Sequence, residues 1–317
     1  MVTRRVLAAA AALPLSAPAL AQPAAETAPL RIVVPFPPGG SYDVVARILT
    51  PALSARLGRG VVVENRSGAA GNIGAEAVAR AAPDGATVLL WGDGLLSNAA
   101  LYRRLPWDPL RDFAPVGMVS ASPIVLSARP GGPALDGLIE AGKGGRRYTY
   151  GTAGNGSPGH IAGALLGSRT GVDFQHIPYR GGAPALTDLM AGQIDIASNP
   201  LPATLPFLQS GRLVALAVAG DRRASLLPDV PTVGESLPGF EVNSWYGVLA
   251  PARTPPAVAE ALFLALRAAA AEPGVAAALT AQGFEPRLLD PTALASFMGR
   301  EAPRWREMVA LSGAVVE

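Results

Sequence analysis

Apolar residues along this chain alternate between short unbroken runs and longer stretches in which they return every three or four positions. The first pattern fits a strand buried on both faces, the second an amphipathic helix. Ile32-Val33-Val34 is the first run. It breaks at Pro35, Pro37 and Pro38, turns at Gly39-Gly40, and enters a helical stripe of Val44, Val45, Ile48, Leu49, Leu53 and Leu57, with Ser41 or Asp43 placed to cap it. Residues 61–63 form a second strand, 64–74 a second glycine-rich loop, and 75–81 a helix that Pro83-Asp84-Gly85 ends. A third strand at 87–91 leads into Gly92-Asp93-Gly94. Strand, glycine loop and helix repeated in this way predict a parallel sheet with helices on its faces. In such sheets ligands bind beyond the carboxyl ends of the strands, where these loops lie.

The apolar run at 118–128 ends in a Pro/Gly break over 129–133, and the alternation then restarts. It gives a strand at 148–151, a glycine loop at 152–159, a helix over 161–167 and a strand at 174–177. A turn at Tyr179-Arg180-Gly181-Gly182 opens a helix over 183–191 with Gly192 just past its end, and strands follow at 194–197 and 214–218. The run at 244–250 returns the chain to the first unit; helices over 256–271 and 291–311 complete it, on either side of a segment at 283–289. The expected division is one lobe of 28–128 with 245–317, a second of 129–244, and hinges near 126–130 and 243–246.

Residues 1–21 stand apart. Arg4 and Arg5 precede an apolar stretch over 6–15, and Ala19-Leu20-Ala21 has the form of a signal-peptidase site. The stretch falls short of the ~20 residues that span a bilayer, so an exported, soluble protein cut after Ala21 is expected, by the general secretory or the twin-arginine route. That cut changes the charge: removing Arg4 and Arg5 from 26 basic side chains leaves 24, against 24 acidic ones. A neutral mature chain gives no reason to expect nucleic acid as a partner. The absence of cysteine excludes disulfides, thiolate catalysis and cysteine-based metal sites.

The first glycine turn sets a helix start and its positive dipole end beside a strand terminus, an arrangement suited to an anion. Gly154 to Gly159 matches G-x-G-x-x-G after a strand, but Pro158 sits inside the helix start and no clear acidic residue ends the next strand at dinucleotide spacing. Ser157 and His160 lie three apart at a helix start, where they read as cap and neighbour; a triad would also need an orienting carboxylate and an oxyanion hole. His176 reads as structural. No metal or cofactor is expected.

Six motifs in order, PFPPGGSYDVVAR, VVENRSGAAGNIGAEAVARAAPDG, YGTAGNGSPGHIAG, IPYRGGAPALTDLMAGQID, LPDVPTVGES and SWYGVLAPARTP, resemble the periplasmic solute-binding receptors of tripartite tricarboxylate transporters, the Bug family. The resemblance runs from about Ile32 to the end of the chain. It implies a two-lobed α/β periplasmic binding fold of Venus-flytrap type, type II-like, with a ligand cleft between two parallel-rich domains. It also implies a small carboxylate ligand (di- or tricarboxylate, or aromatic acid) delivered to a large and a small membrane subunit by a monomeric receptor. Ligand contacts carried onto this chain are Phe36, Pro38, Gly39, Gly40, Ser41, Asp43 and Asn72 on the first lobe. On the second they are Thr152, Ala153, Gly154, Asn155 and Ser157, with Arg180, Gly181, Gly182, Ala183 and Asn199 along the rim. Three departures bear on the ligand. Asn199-Pro200 stands where the family often has an Asp-Asn pair, which disfavours an ammonium-bearing ligand. Tyr42 stands where small residues are common, placed to stack on an aromatic ligand or narrow the cleft. Trp91-Gly92-Asp93 replaces small and hydroxyl residues. The alternatives are a sensor docking on a signalling ectodomain and an exported α/β enzyme acting on a carboxylate; clustered acid and base residues would mark the enzyme, and the sequence has none.

Overall fold

The computed structural model of the chain describes residues 28–313. The expected signal peptide and its cleavage after Ala21 lie outside the described residues.

The first half is built of strand–helix units: β1 (Leu30–Val34), α1 (Ser41–Leu57), β2 (Val61–Asn65), α2 (Asn72–Ala79), β3 (Thr87–Gly92) and α3 (Asp93–Leu101). β1 pairs in parallel with both β2 and β3, so the chain crosses between parallel strands through α1 and α2. β4 (Phe113–Ala128) follows, sixteen residues long and nearly all buried. Then come α4 (Leu135–Lys143), β5 (Tyr148–Thr152), α5 (Pro158–Thr170), β6 (Phe174–Pro178), α6 (Gly182–Ala191), β7 (Ile196–Pro200), α7 (Leu201–Gln209) and β8 (Val214–Val218). β5 pairs in parallel with β6 and β7. The short α8 (Val233–Ser236) leads to β9 (Asn243–Pro251), then α9 (Pro256–Ala270), α10 (Pro273–Ala281), β10 (Glu285–Leu289) and α11 (Pro291–Ser312).

β4 joins the two sheets. Its first part, Phe113 to Pro123, pairs antiparallel with β9, and Met118 to Ala121 also pair with β10. Its last part, Ile124 to Ala128, pairs antiparallel with β7 and β8. β9 lies between β3 and β4, so the run at 244–250 does return the chain to the first sheet. The result is a two-lobed α/β fold. α3, α4, α7 and α10 were not legible in the apolar pattern. Each is only nine residues long, and α3 follows β3 without a loop, so Gly92-Asp93-Gly94, expected as a turn, is the helix start itself.

Candidate functional site

Every parallel strand of both sheets ends at a helix start, so the backbone N–H groups of several first turns gather at one end of each sheet. At the first, Gly39 takes a φ of +84°, which glycine adopts without strain, and Gly40 is the helix N-cap. The cap expected at Ser41 or Asp43 is not there: Ser41 is already helical, and no side chain caps α1. Asp43 instead reaches back. Its Oδ2 accepts from Gly39 N at 2.9 Å and Arg47 Nε at 2.8 Å, and its Oδ1 accepts from Asn65 Nδ2 at 2.9 Å. Burial pushes the carboxyl pKa up, but the bonds from Arg47, Gly39 and Asn65 outweigh it and hold the group below its ordinary value. Asp43, expected at the ligand, therefore shapes the turn from behind, because both its oxygens are taken by the protein.

Tyr42 is likewise turned inward. Its ring stacks on Phe36 with centroids 5.3 Å apart, and its hydroxyl donates to Asp93 Oδ1 at 3.1 Å. That leaves Phe36, half-buried, as the aromatic face beside the exposed Pro38-Gly39-Gly40 turn. The same Asp93 oxygen accepts from Ser244 Oγ at 2.7 Å and from Trp245 N at 3.2 Å. Asp93 thus ties α1 and α3 to the start of β9, and among the described residues no cation pairs with it. Burial pushes its carboxyl up to about 6, against the bonds from Ser244, Trp245 and Tyr42. Tyr246, which shares a 3.0 Å hydrogen bond with Ser122 Oγ, is pushed up to about 12 by the same burial.

The second loop tightens into a single turn over Ala69–Gly71 before α2, and places Ala69 and Ala70 at φ of +46° and +53°. Left-handed alanine is strained by about 1–2 kcal/mol per residue. Asn98 of α3 braces it: Nδ2 donates to Ala70 O at 3.0 Å and to Asn72 Oδ1 at 2.8 Å. Ser97, its neighbour, donates from Oγ to Gly156 O of the second lobe at 2.7 Å. Sequence reasoning missed Asp93, Ser97 and Asn98. The usable signal was Asp93 in a first turn followed by Leu95, Leu96 and Leu101 at helical spacing.

On the second lobe, Thr152 ends β5 fully buried, with Oγ1 2.7 Å from His176 Nε2 and accepting from Gly154 N at 3.2 Å. Its hydroxyl, expected at the ligand, is held inside the wall by those partners. Ser157 is the N-cap of α5, its Oγ accepting from His160 N at 3.3 Å, while Gly156 N donates to His160 Nδ1 at 3.1 Å. The imidazole therefore supports the loop and does not face the Ser157 hydroxyl as a base would. His160 and His176 stack with centroids 3.9 Å apart. Burial lowers them to about 4 and about 3, His176 helped by repulsion from His160, so both are neutral. Gly181 N donates to Ala153 O at 3.3 Å, which joins the turn before α6 to the turn before α5.

Arg180, Ala183 and Asn155 are exposed, while Ala153, Gly154, Gly181 and Gly182 are half-buried. Asn199 corrects an expectation. It is fully buried in β7, between β4 and β5, and is not on the rim; neither its Oδ1 nor its Nδ2 has a partner in the protein. It backs the start of α6, where a Cβ on Gly182 would stand 3.0 Å from its Oδ1. The gathered groups are backbone N–H, hydroxyl and amide donors with one exposed arginine, a set that can hold an anion by hydrogen bonds.

The family model described as "Tripartite tricarboxylate transporter family receptor" matches residues 45–313. The chain belongs to this receptor family. Among solved structures, the periplasmic binding protein BugD matches with a TM-score of 0.84 at 36% identity, over 91% of this chain and 99% of its own. Rpa4515 of R. palustris with adipate matches at 0.86 and 33%, over 91% and 98%. MatC (Rpa3494) from Rhodopseudomonas palustris with bound malate matches at 0.80 and 33%, over 88% and 98%. As a tripartite tricarboxylate transporter family receptor, the chain is a solute-binding protein of periplasmic type, and the proteins it resembles are binding proteins, not enzymes.

Proposed function

We propose that this receptor captures a small dicarboxylate in the cleft between its lobes and delivers it to the large and small membrane subunits of a tripartite transporter. It acts as a monomer without a cofactor or catalytic step. The observation that carries the reading is the uncapped start of α1 beside an exposed glycine turn, with further glycine-built helix starts on the second lobe. One carboxylate is held by the N–H groups of Gly40 and Ser41 beside Phe36 and Pro38, where Gly39, its own N–H bonded to Asp43, shapes the turn and Asn72 adjoins. The other meets Ala153, Gly154, Asn155 and Ser157, while Gly181, Gly182 and Ala183 narrow the cleft and Arg180 screens its mouth. Adipate and malate, found with two relatives, support the dicarboxylate class.

In this reading the lobes divide as expected from the sequence, with 129–244 as the second and the described residues on either side of it as the first, and they close about the crossings of β4 and β9. Closure is favoured by whatever extra affinity the ligand has for the closed form. A thermal-shift screen of the chain from Gln22 against mono-, di- and tricarboxylates, aromatic acids and amino acids tests this. Binding to the native state alone stabilises by about 2.7 kcal/mol at a hundredfold excess over Kd. A selective, saturable shift with dicarboxylates, absent in Gly40→Val, is the expected result; no shift by any acid after refolding from denaturant would refute the carboxylate assignment.

A further inference from the structure

The start of β9 and one face of α11 enclose a cavity of about 210 Å³, and none of its lining residues belongs to the glycine turns. Its walls include Trp245, Phe297 and Trp305. Trp245 and Trp305 are 3% and 2% exposed, and the indole N–H of each has no acceptor in the protein. Trp91 and Trp107 share this lack of an acceptor, so what marks the cavity is the gathering of three aromatic side chains in one wall.

The charges at this cavity are unevenly used. Arg304 takes up both nearby acids: its guanidinium donates to Glu241 O at 2.6 Å and Glu241 Oε2 at 3.3 Å, and to Glu301 Oε1 at 3.3 Å. Arg287 lies over the Phe297 ring, 5.2 Å from its centroid, and Arg300 stands one turn from Phe297 and Arg304 on α11. Among the described residues neither Arg287 nor Arg300 pairs with a carboxylate, though both line the cavity and are exposed. Aromatic walls with two unpaired guanidinium groups at the mouth are complementary to a flat apolar body carrying a negative group.

We propose that this cavity is a second ligand site, separate from the cleft, that takes a small aryl carboxylate. The ring lies among Trp245, Phe297 and Trp305, and the carboxylate meets Arg287 and Arg300. The site stands whether or not the cleft binds a dicarboxylate, because the two share no residue.

Titration of tryptophan emission with benzoate tests it, on wild type, Gly40→Val and the double variant Arg287→Glu/Arg300→Glu. Both arginines are on the surface, so an unchanged melting temperature of the double variant confirms that charge reversal leaves the fold intact. The expected result is a saturable emission change that persists in Gly40→Val and weakens about tenfold or more in the double arginine variant. Benzyl alcohol, the uncharged analogue, gives no comparable change. No saturable change with benzoate overturns the proposal. So does a change that survives the double arginine variant and disappears in Gly40→Val, and so does benzyl alcohol binding as tightly as benzoate.

Discussion

The two lobes support their glycine turns with opposite chemistry. On the first lobe the supports are carboxylates: Asp43 holds Gly39 N, and Asp93 draws donors from α1 and β9 onto one oxygen. On the second they are neutral imidazoles: His160 Nδ1 accepts from Gly156 N, and His176 holds Thr152. A turn that offers N–H groups to an anion can be braced by a negative group only at a distance, since a nearby carboxylate would repel the ligand. Asp43 has its charge answered by Arg47, while Asp93 is set back behind Tyr42 and Phe36. The second lobe avoids the conflict by using acceptors without charge.

The largest expected effect probes what the lobes share. A Cβ on Gly92 would stand 1.8 Å from Trp245 O, and one on Gly159 would stand 1.9 Å from Ser198 O, both backbone atoms of a neighbouring strand. Each glycine lets a helix start press against the sheet. Gly92→Ala and Gly159→Ala should each destabilise by about 3 kcal/mol or more, read from urea midpoints. If Gly159→Ala costs less than about 1 kcal/mol, the second lobe's helix start is not pressed on Ser198 as described and the parallel between lobes fails.

The next effect separates them, because the two supports titrate with opposite sign. Asp93 sits at about 6 in the fold against an ordinary 3.8, so its contribution to stability is fully present below pH 3.8 and is lost as pH rises through 6. Two units amount to about 3 kcal/mol. His160 sits at about 4 against an ordinary 6.5, so its contribution is present above pH 6.5 and is lost as pH falls towards 4. Asp93→Asn and His160→Asn keep an acceptor and remove the titration. The wild-type advantage over Asp93→Asn should shrink between pH 4 and 7, and that over His160→Asn should grow. Urea unfolding at each pH measures both, and slopes of the same sign would remove the contrast.

A smaller effect tests a neutral brace within the first lobe, the one on its second glycine turn. Asn98→Ala releases Ala70 O and Asn72 Oδ1 together, which should destabilise by about 1–2 kcal/mol and speed amide exchange in the segment 68–72. Unchanged exchange there would mean that the left-handed alanines are held by other contacts.

How much of this was legible follows from the kind of signal each part leaves. The parallel strands at residues 32, 61, 87, 148, 174 and 196 show as apolar runs, and the turns before α1, α5 and α6 show as paired or clustered glycines. These signals are local. What the sequence hid is pairwise and distant. Asp93 depends on Ser244 and Trp245, over 150 residues away, and Ser97 on Gly156, so neither role leaves a pattern around the residue itself. Tyr42 and Thr152 were visible as polar groups beside a turn, but which way they face is decided by Asp93 and His176. Asn199 was visible too; its burial depends on β7 lying between β4 and β5.

The smallest effects concern the helix caps, where the lobes differ most directly. Ser157 caps α5, so Ser157→Ala should cost about 1 kcal/mol of stability. α1 has no side-chain cap, and its Gly40 has φ −74° and ψ 164°, extended values that serine adopts freely. Its Cβ would meet nothing closer than Pro37 O at 3.6 Å. Gly40→Ser should therefore supply the missing cap and raise stability by a few tenths of a kcal/mol. The new hydroxyl would accept from the first-turn N–H of Tyr42 or Asp43 and stand in the space beside Gly40 and Ser41 that a carboxylate needs, so the ligand-induced thermal shift should fall as intrinsic stability rises. If both rise together, the start of α1 is not where the anion binds, and the open helix end on the first lobe has only a structural meaning.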